Sequence, residues 1–120
     1  MLTATCHCGA VSVTVPRKPR TITDCNCTIC TKYGVLWAYY KESAVQFTSK
    51  VRAKSKTTDE YIWGRKHQRF VRCANCGCIM YWQRLAPHPL NNVGVNARNF
   101  PPEVLHSIRI KPLDGAAFEL

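Results

Sequence analysis

The sequence predicts a mostly β fold built from many short strands. Apolar residues recur at every second position in several short segments, as in 10–15, where three valines alternate with Ser12 and Thr14. That alternation is typical of a half-buried strand. No long segment shows the 3.6-residue period of an amphipathic helix. Eight cysteines in 120 residues further indicate that the strands are joined by more than a hydrophobic core.

The other elements follow from the same alternation and from the turn residues that separate the strands. Gly34 is placed to end one helical turn in a left-handed conformation. Residues 64–67 form the loop of a predicted hairpin, and 101–105 predict one more helical turn. Besides 10–15, we expect strands at 21–23, 35–40, 44–48, 61–63, 68–72, 79–84, 93–96 and 106–111.

The length of the chain predicts a single domain over residues 1–120, large enough to bury a modest core. Its first residues lack the basic start and apolar run of a secretory signal. No segment approaches the roughly 18 apolar residues that cross a bilayer. We therefore expect a soluble cytoplasmic protein, in which clustered cysteines stay reduced and more often bind metal than form disulfides.

Two cysteine pairs at opposite ends of the chain predict a closed zinc site. Cys6 and Cys8 form a C-x-C pair, whose side chains point to the same side of an extended chain. Cys73 and Cys76 form a C-x-x-C pair followed by Gly77, a compact turn that brings two sulfurs to one ion. Four thiolates complete a tetrahedral structural site, which can contribute on the order of 10 kcal/mol to folding.

The central motif, Cys25-Asn26-Cys27-Thr28-Ile29-Cys30, leaves three cysteines for a second zinc ion. Three protein ligands are typical of a zinc that keeps one position for water or substrate. Three thiolates give the centre a net charge of −1, which makes it a weak acidifier of bound water. A soft site of this kind favours a thiol held as a thiolate nucleophile. We take Cys25, Cys27 and Cys30 as the candidate catalytic residues.

Spacing alone leaves other arrangements of the cysteines open. The eight cysteines are an even number and can form four disulfides. Cys78 can complete the central cluster as a fourth ligand and close it, although it is more simply interpreted as a small buried residue on the following strand. Other pairings of the clusters are also compatible with the spacing.

The histidines and the aromatic residues carry weaker signals. We expect none of the four histidines to serve as a ligand or a general base, because none stands in a recognisable ligand spacing. Trp37, Tyr39, Trp63 and Trp82 are expected to belong to the core.

The formal charge of +10 predicts a basic surface that attracts anionic partners, either nucleic acid or a small acidic thiol. Basic residues at two-residue spacing would form a stripe on one face of an extended chain, at Lys50, Arg52, Lys54 and Lys56. A second basic segment contains Arg17, Lys18 and Arg20. These segments support a rival hypothesis, a non-enzymatic zinc-stabilised module that binds nucleic acid or protein.

The cysteine clusters resemble those of the glutathione-dependent formaldehyde-activating enzyme family, also described as the centromere protein V domain. The resemblance spans most of the chain and rests on four motifs. They are Cys6-His7-Cys8-Gly9-Ala10-Val11, Cys25-Asn26-Cys27-Thr28-Ile29-Cys30-Thr31-Lys32 with Gly34, Cys73-Ala74-Asn75-Cys76-Gly77, and Val95-Asn96.

This resemblance implies an Mss4-like fold of short antiparallel strands stapled by zinc. It also implies two zinc ions per chain, a structural ion at the outer pairs and a labile, catalytic ion at the central triplet. The implied activity is that of a carbon-sulfur lyase: glutathione adds to formaldehyde and yields S-hydroxymethylglutathione. A small-molecule thiol such as glutathione is the implied partner, and no membrane association is expected.

Overall fold

The computed structural model describes residues 1–50 and 56–118, and within these the chain forms ten strands and two six-residue α-helices. The helices are α1, Thr28–Tyr33, and α2, Pro102–Ser107. Short 3-10 helices lie at Glu42–Ala44, Ala97–Asn99 and Gly115–Phe118. The strands are β1 Leu2–Thr5, β2 Val11–Val15, β3 Thr21–Cys25, β4 Trp37–Lys41, β5 Gln46–Ser49, β6 Thr58–Tyr61, β7 Gln68–Cys73, β8 Ile79–Arg84, β9 Asn92–Asn96 and β10 Arg109–Leu113.

The strands form two sheets, which confirms the predicted mainly β fold and fits the Mss4-like architecture. The small sheet has the order β1-β2-β5, and the large sheet has the order β10-β3-β4-β9-β8-β7-β6. Among the ten described strands, all pairings but one are antiparallel. The exception is β10, which runs parallel to β3 with Arg109 opposite Thr21 and Leu113 opposite Cys25.

The main core lies against one face of the large sheet, and a second, smaller cluster that includes Cys25 and Cys30 lies against the other face. Successive side chains of a strand point to opposite faces. On β4, Ala38 and Tyr40 therefore join the main core with the valines of β2, while Trp37 joins a second cluster. β7 divides in the same way, with Val71 in the main core and Phe70 in the second cluster. The large sheet is thus covered on both faces.

The predicted elements agree with the structure except at some boundaries. The strand at 79–84 is found as predicted. The hairpin around 64–67 is present, but its first strand is Thr58–Tyr61, so the strand predicted at 61–63 is correct only at Tyr61. His106 belongs to α2 and not to the last strand. β1 was not predicted, since its four residues are too few to show a clear alternation.

The structure contains no helix, within the part of the chain that it describes, with the length and apolar character needed to cross a membrane.

Candidate metal centres and the adjoining cavity

The four outer cysteines meet at the edge where the two sheets approach each other. Cys6 and Cys8 lie in the turn between β1 and β2, Cys73 is the last residue of β7, and Cys76 lies in the turn between β7 and β8. Their four sulfurs all lie within 4.8 Å of one another. Gly77 follows in a left-handed conformation with φ 80° and donates its N–H to the Cys73 carbonyl at 3.0 Å. This turn aims both sulfurs of the second pair at the first pair.

The sulfur spacing fits a tetrahedral zinc ion. The Cys6 and Cys8 sulfurs are 3.7 Å apart, and the Cys8 and Cys73 sulfurs are 3.6 Å apart. A tetrahedron with zinc–sulfur bonds of about 2.3 Å has edges of about 3.8 Å. Backbone N–H groups also point at the sulfurs, from Val11 to Cys6 at 3.3 Å and from Cys76 to Cys73 at 3.5 Å. This set of donors is able to hold a metal ion.

The thiols of this cluster differ in how readily they ionise. Burial raises the pKa of the Cys6 thiol to about 11. Burial also opposes ionisation of Cys76, but the backbone N–H groups of Cys78 and Cys8 outweigh it and hold the Cys76 pKa at about 5. The Asn75 side chain lowers the pKa of Cys8 in the same direction. At Cys8 and Cys76 the surrounding hydrogen bonds therefore stabilise the sulfur in its anionic form, as a cation ligand requires.

The three central cysteines converge because a helix begins inside their motif. Cys27 is the N-cap of α1, and Cys30 lies one turn later, so the two share one face of the helix. Cys25 comes from the end of β3. The three sulfurs lie within 4.8 Å of one another, and they too are able to hold a metal ion. Because only three cysteines converge here, a fourth coordination position remains for another ligand.

Gly34 adopts a left-handed conformation, and the turn at this residue brings Trp37 into contact with the central cluster. Gly34 ends α1 with φ 67° and donates its N–H to the carbonyls of Cys30 and Thr31. The chain then enters β4 directly, and the Trp37 indole N–H donates to the Cys30 sulfur at 3.2 Å. Burial raises the pKa of the Cys30 thiol, and the Trp37 N–H opposes that rise.

The C-terminal segment covers the central cluster from the other side. Asn26 holds this segment with both ends of its side-chain amide: its Nδ2 donates to the Asp114 carboxylate at 3.1 Å, and its Oδ1 accepts from the Ala116 N–H at 3.0 Å. The Asn26 backbone N–H also donates to the Leu113 carbonyl. Gly115 is thereby pressed against Cys25, so closely that a Cβ at this position would overlap the Cys25 sulfur.

Cys78 belongs to neither group of converging sulfurs. It packs, partly buried, against the main core beside the outer cluster, where the backbone of His7 and the side chain of Cys76 are its neighbours. The central triplet lies against the opposite face of the large sheet. The structure therefore does not bring Cys78 to the position that would close the central site. None of the eight cysteines, all of which are described, is in a disulfide.

A cavity of about 300 Å³ opens beside the central cysteines. Aromatic rings make up much of its lining, a role that the sequence did not lead us to assign to them. Trp37 and Trp82 are buried in the core, as expected, and they also line the cavity. No motif in the sequence distinguishes these rings from core residues; the only signal was their placement on alternate positions of β4, β7 and β8. The aromatic lining residues are Trp37, Tyr39, Trp63, Phe70 and Trp82.

The polar part of the cavity is cationic. Arg65, His67 and Arg84 line it together with Gln68, and none of its described lining residues is acidic. His67 thus lines the same cavity as the central cysteines, although we did not expect a role for any histidine. Arg84 is held in place: its Nε and Nη2 donate to the Asn92 side-chain oxygen at 3.2 and 2.9 Å. The cavity therefore suits an anion with an apolar or soft portion.

The two basic segments lie away from this cavity or outside the described residues. Lys50 and Lys56 are exposed, while Arg52 and Lys54 lie outside the part of the chain that the structure describes. The stripe therefore stays a prediction. Arg17, Lys18 and Arg20 are exposed and line a separate cavity of about 200 Å³. Nucleic-acid binding remains a hypothesis that rests on charge alone.

A mainly β fold with one four-cysteine cluster, one three-cysteine cluster and a cavity beside the latter defines a small protein with two potential metal centres. The chain belongs to the family of the glutathione-dependent formaldehyde-activating enzyme, which it matches over residues 1–105. This confirms the resemblance noted in the sequence.

The fold is also similar to that of a Rhodobacter sphaeroides protein of known crystal structure. The TM-score is 0.70 at 22% sequence identity, and the similarity covers 92% of this chain and 100% of the other. Identity this low supports the fold alone. No curated protein matches the chain by sequence.

Proposed function

We propose that this protein is a zinc-dependent enzyme of the carbon-sulfur lyase type, which joins glutathione to formaldehyde and forms S-hydroxymethylglutathione. The observation that carries the proposal is the convergence of Cys25, Cys27 and Cys30 beside a cavity whose described lining is aromatic and cationic. Family membership supports the same reaction class. Glutathione is anionic and carries a soft thiol, as such a cavity requires.

The two cysteine clusters hold one zinc ion each in this proposal. Cys6, Cys8, Cys73 and Cys76 saturate a structural ion, and the central triplet leaves one position open. When bound there, zinc supplies a site that takes up a thiol in its thiolate form. Trp37 stabilises the cluster because its N–H donates to the Cys30 sulfur, which delocalises negative charge on that ligand.

The reaction forms a bond between the glutathione sulfur and the formaldehyde carbon, and the thiol proton ends on the former carbonyl oxygen. Tyr39 lines the cavity, and its partial burial, reinforced by the nearby sulfurs of Cys25 and Cys30, raises its pKa to about 12. Its hydroxyl therefore keeps its proton at neutral pH and donates a hydrogen bond to the oxygen on which charge develops. His67 lies in the same cavity and carries the proton from thiol to product.

The test is catalysis of this addition by the zinc-loaded protein. We expect NMR spectra of labelled formaldehyde and glutathione to show S-hydroxymethylglutathione forming faster with the protein than in buffer alone. Cys27→Ser removes a proposed ligand and should abolish the acceleration. Cys78→Ser is the matched control, since Cys78 lies in neither cluster, and it should retain the acceleration.

The substrate assignment has its own test. Calorimetric titration of the zinc-loaded wild-type protein should detect glutathione binding at millimolar ligand. Absence of binding under these conditions would remove glutathione as the substrate. Equal acceleration by wild type and Cys27→Ser would remove the central cluster from the mechanism.

A further inference from the structure

A second cavity adjoins the first on the side away from Arg84. It has a volume of about 400 Å³, and Ile29 and Trp63 line both cavities. Its polar lining includes two more cations, Lys32 and Arg72. Because the two cavities share Ile29 and Trp63, we treat them as one cleft, with the central cysteines in its first part and cationic groups in both parts.

Strand β7 sets the length of this cleft. Gln68 and Phe70 line the first cavity, and Arg72 lines the second, so alternate residues of one strand face the cleft throughout. Arg84 lies opposite Gln68 in the pairing of β7 with β8. Arg72 lies four positions after Gln68, a distance of about 13 Å at roughly 3.3 Å per residue.

The sulfurs of the central cluster lie near the middle of this length. Trp37, whose N–H donates to the Cys30 sulfur, packs on Phe70 with ring centroids 6.3 Å apart. Phe70 is the residue midway between Gln68 and Arg72. A ligand that places its sulfur at the cluster can therefore extend in both directions along β7.

At the first end, the Arg84 side chain is held in place by its neighbours. The Arg84 guanidinium is oriented by its two hydrogen bonds to Asn92 and lies over the Trp82 ring, 5.3 Å from the ring centroid. Trp82 in turn occupies the space above Gly94, where any Cβ would overlap its indole nitrogen. An arginine held in this way presents its remaining N–H groups to a carboxylate at little further cost in side-chain entropy.

The cations at the second end are only weakly neutralised by the protein. Arg72 approaches Asp59 at 4.0 Å, a distant and solvent-exposed pair. Lys32 forms no ion pair within residues 1–50 and 56–118. Both charges are available to a ligand.

We infer that the cleft binds a thiol with one carboxylate on each side of its sulfur, Arg84 holding one carboxylate and the pair Arg72 and Lys32 holding the other. An extended tripeptide spans at most about 11 Å, and the long side chains at both ends of the cleft bridge the small remainder. This inference rests on the proposed function for the identity of the thiol. It adds a second ligand subsite, between α1 and β7, and names the residues that select for two anionic ends.

S-methylglutathione tests the inference independently of catalysis, because it has both carboxylates and no free thiol. Its binding to the zinc-loaded protein is compared with that of two analogues, each with one of the carboxylates converted to an amide. The variants are Arg84→Gln, Arg72→Gln and Lys32→Gln. Arg109→Gln is the control, since Arg109 is exposed on β10 and lines neither cavity.

We expect Arg84→Gln and Arg72→Gln each to weaken S-methylglutathione binding by about tenfold, as for the loss of a charge-assisted hydrogen bond. Arg84→Gln should bind one of the amide analogues as tightly as wild type does, because that analogue lacks the carboxylate that Arg84 binds. Arg72→Gln should do so with the other analogue. Lys32→Gln should share the pattern of Arg72→Gln. Arg109→Gln should leave every affinity unchanged.

Three results would overturn the inference. The first is that the wild-type protein does not bind S-methylglutathione, and the second is that Arg84→Gln and Arg72→Gln lower the affinity for it no more than Arg109→Gln does. The third is that one and the same amide analogue binds equally to the wild-type protein and to both arginine variants. None of these results bears on turnover. If the protein accelerates the addition of glutathione to formaldehyde while the arginine variants bind normally, the inference fails and the proposed function stands. If the two arginine variants respond to different analogues but the protein does not accelerate the addition, the inference stands and the proposed function fails.

Discussion

The two cysteine clusters differ in how much each contributes to the stability of the fold. Cys76 lies where the turn between β7 and β8 meets the turn between β1 and β2, so its cluster joins the two sheets. Cys27 lies at the start of α1, on the outer face of the large sheet, and its cluster joins only neighbouring segments of that sheet. Loss of one ligand should therefore unfold the protein in the first case and only empty a site in the second.

Metal content and folding of Cys27→Ser and Cys76→Ser test this difference. We expect the wild-type protein to hold about two zinc ions per chain and Cys27→Ser about one, with the far-UV circular dichroism unchanged. Cys76→Ser should lose its β-sheet signal, since a structural zinc site contributes on the order of 10 kcal/mol, as much as the whole stability of many domains. Elemental analysis and thermal unfolding supply both readings. A folded Cys76→Ser protein, or a Cys27→Ser protein that keeps both ions, would contradict the assignment.

The sequence predicts the cysteine groups well and their surroundings poorly. Ligand spacing is a local property, and Cys25, Cys27 and Cys30 are close in the chain as well as in space. The contact of Trp37 with the Cys30 sulfur depends on the left-handed turn at Gly34 and on the direction in which β4 leaves it. Arg84 reaches the same cavity only because β8 lies two strands away from β4 in the sheet. Such long-range placement leaves no mark in the local pattern.

Among the elements, the C-terminal segment is the least predictable. An alternating pattern indicated a strand near 106–111, but it could not indicate that β10 joins β3 in the parallel direction. All five residues of β10 are exposed, so no buried face specifies its register. Its position is specified instead by polar contacts of Asn26 with Asp114 and Ala116. Asp114 and Ala116 lie beyond the part of the chain that matches the family, which ends at residue 105.

Gly115→Ala tests whether this segment shapes the central site. The new Cβ would overlap the Cys25 sulfur, so either the segment or the cysteine must move. We expect the zinc content to fall from about two ions per chain toward about one, with little change in the melting temperature, because Gly115 contacts the cluster and not the main core. Ala117→Ser, a similarly small change at an exposed position of the same segment, is the control.

The segment would be shown to have no part in the site if Gly115→Ala kept both ions. A large fall in the melting temperature would instead show that the C-terminal segment supports the whole fold. Elemental analysis beside a thermal melt separates these outcomes.

At the scale of the whole molecule, the large sheet separates the main core from the central cysteine cluster. One face buries the main core and is joined to the small sheet by the outer cluster, while the other face carries the central cluster and the cleft. The strand alternation that predicted a β fold also predicts two faces. It does not tell which face is covered by a second sheet and which by a helix and aromatic rings. That choice depends on contacts between residues that are distant in sequence, such as the packing of Trp37 on β4 against Phe70 on β7.

The three tryptophans all lie at the central site, which allows the two faces to be observed separately. Trp37, Trp63 and Trp82 line the cavity beside Cys25, Cys27 and Cys30, and the chain has no other tryptophan. Tryptophan fluorescence therefore reports on the central cluster, whereas far-UV circular dichroism reports on both sheets. The central ion, held by three ligands, should leave for a chelator more readily than one held by four.

Titration with a chelator should accordingly give two phases. We expect fluorescence to change first, while circular dichroism stays constant, and the β-sheet signal to disappear only at higher chelator concentration, when the outer cluster releases its ion. In Cys27→Ser the first phase should be absent and the second unchanged, because that variant lacks the central site from the start. If fluorescence and circular dichroism instead change together in the wild-type protein, both clusters support the fold equally. The division between a structural and a reactive metal centre, on which the proposed catalysis depends, would then be wrong.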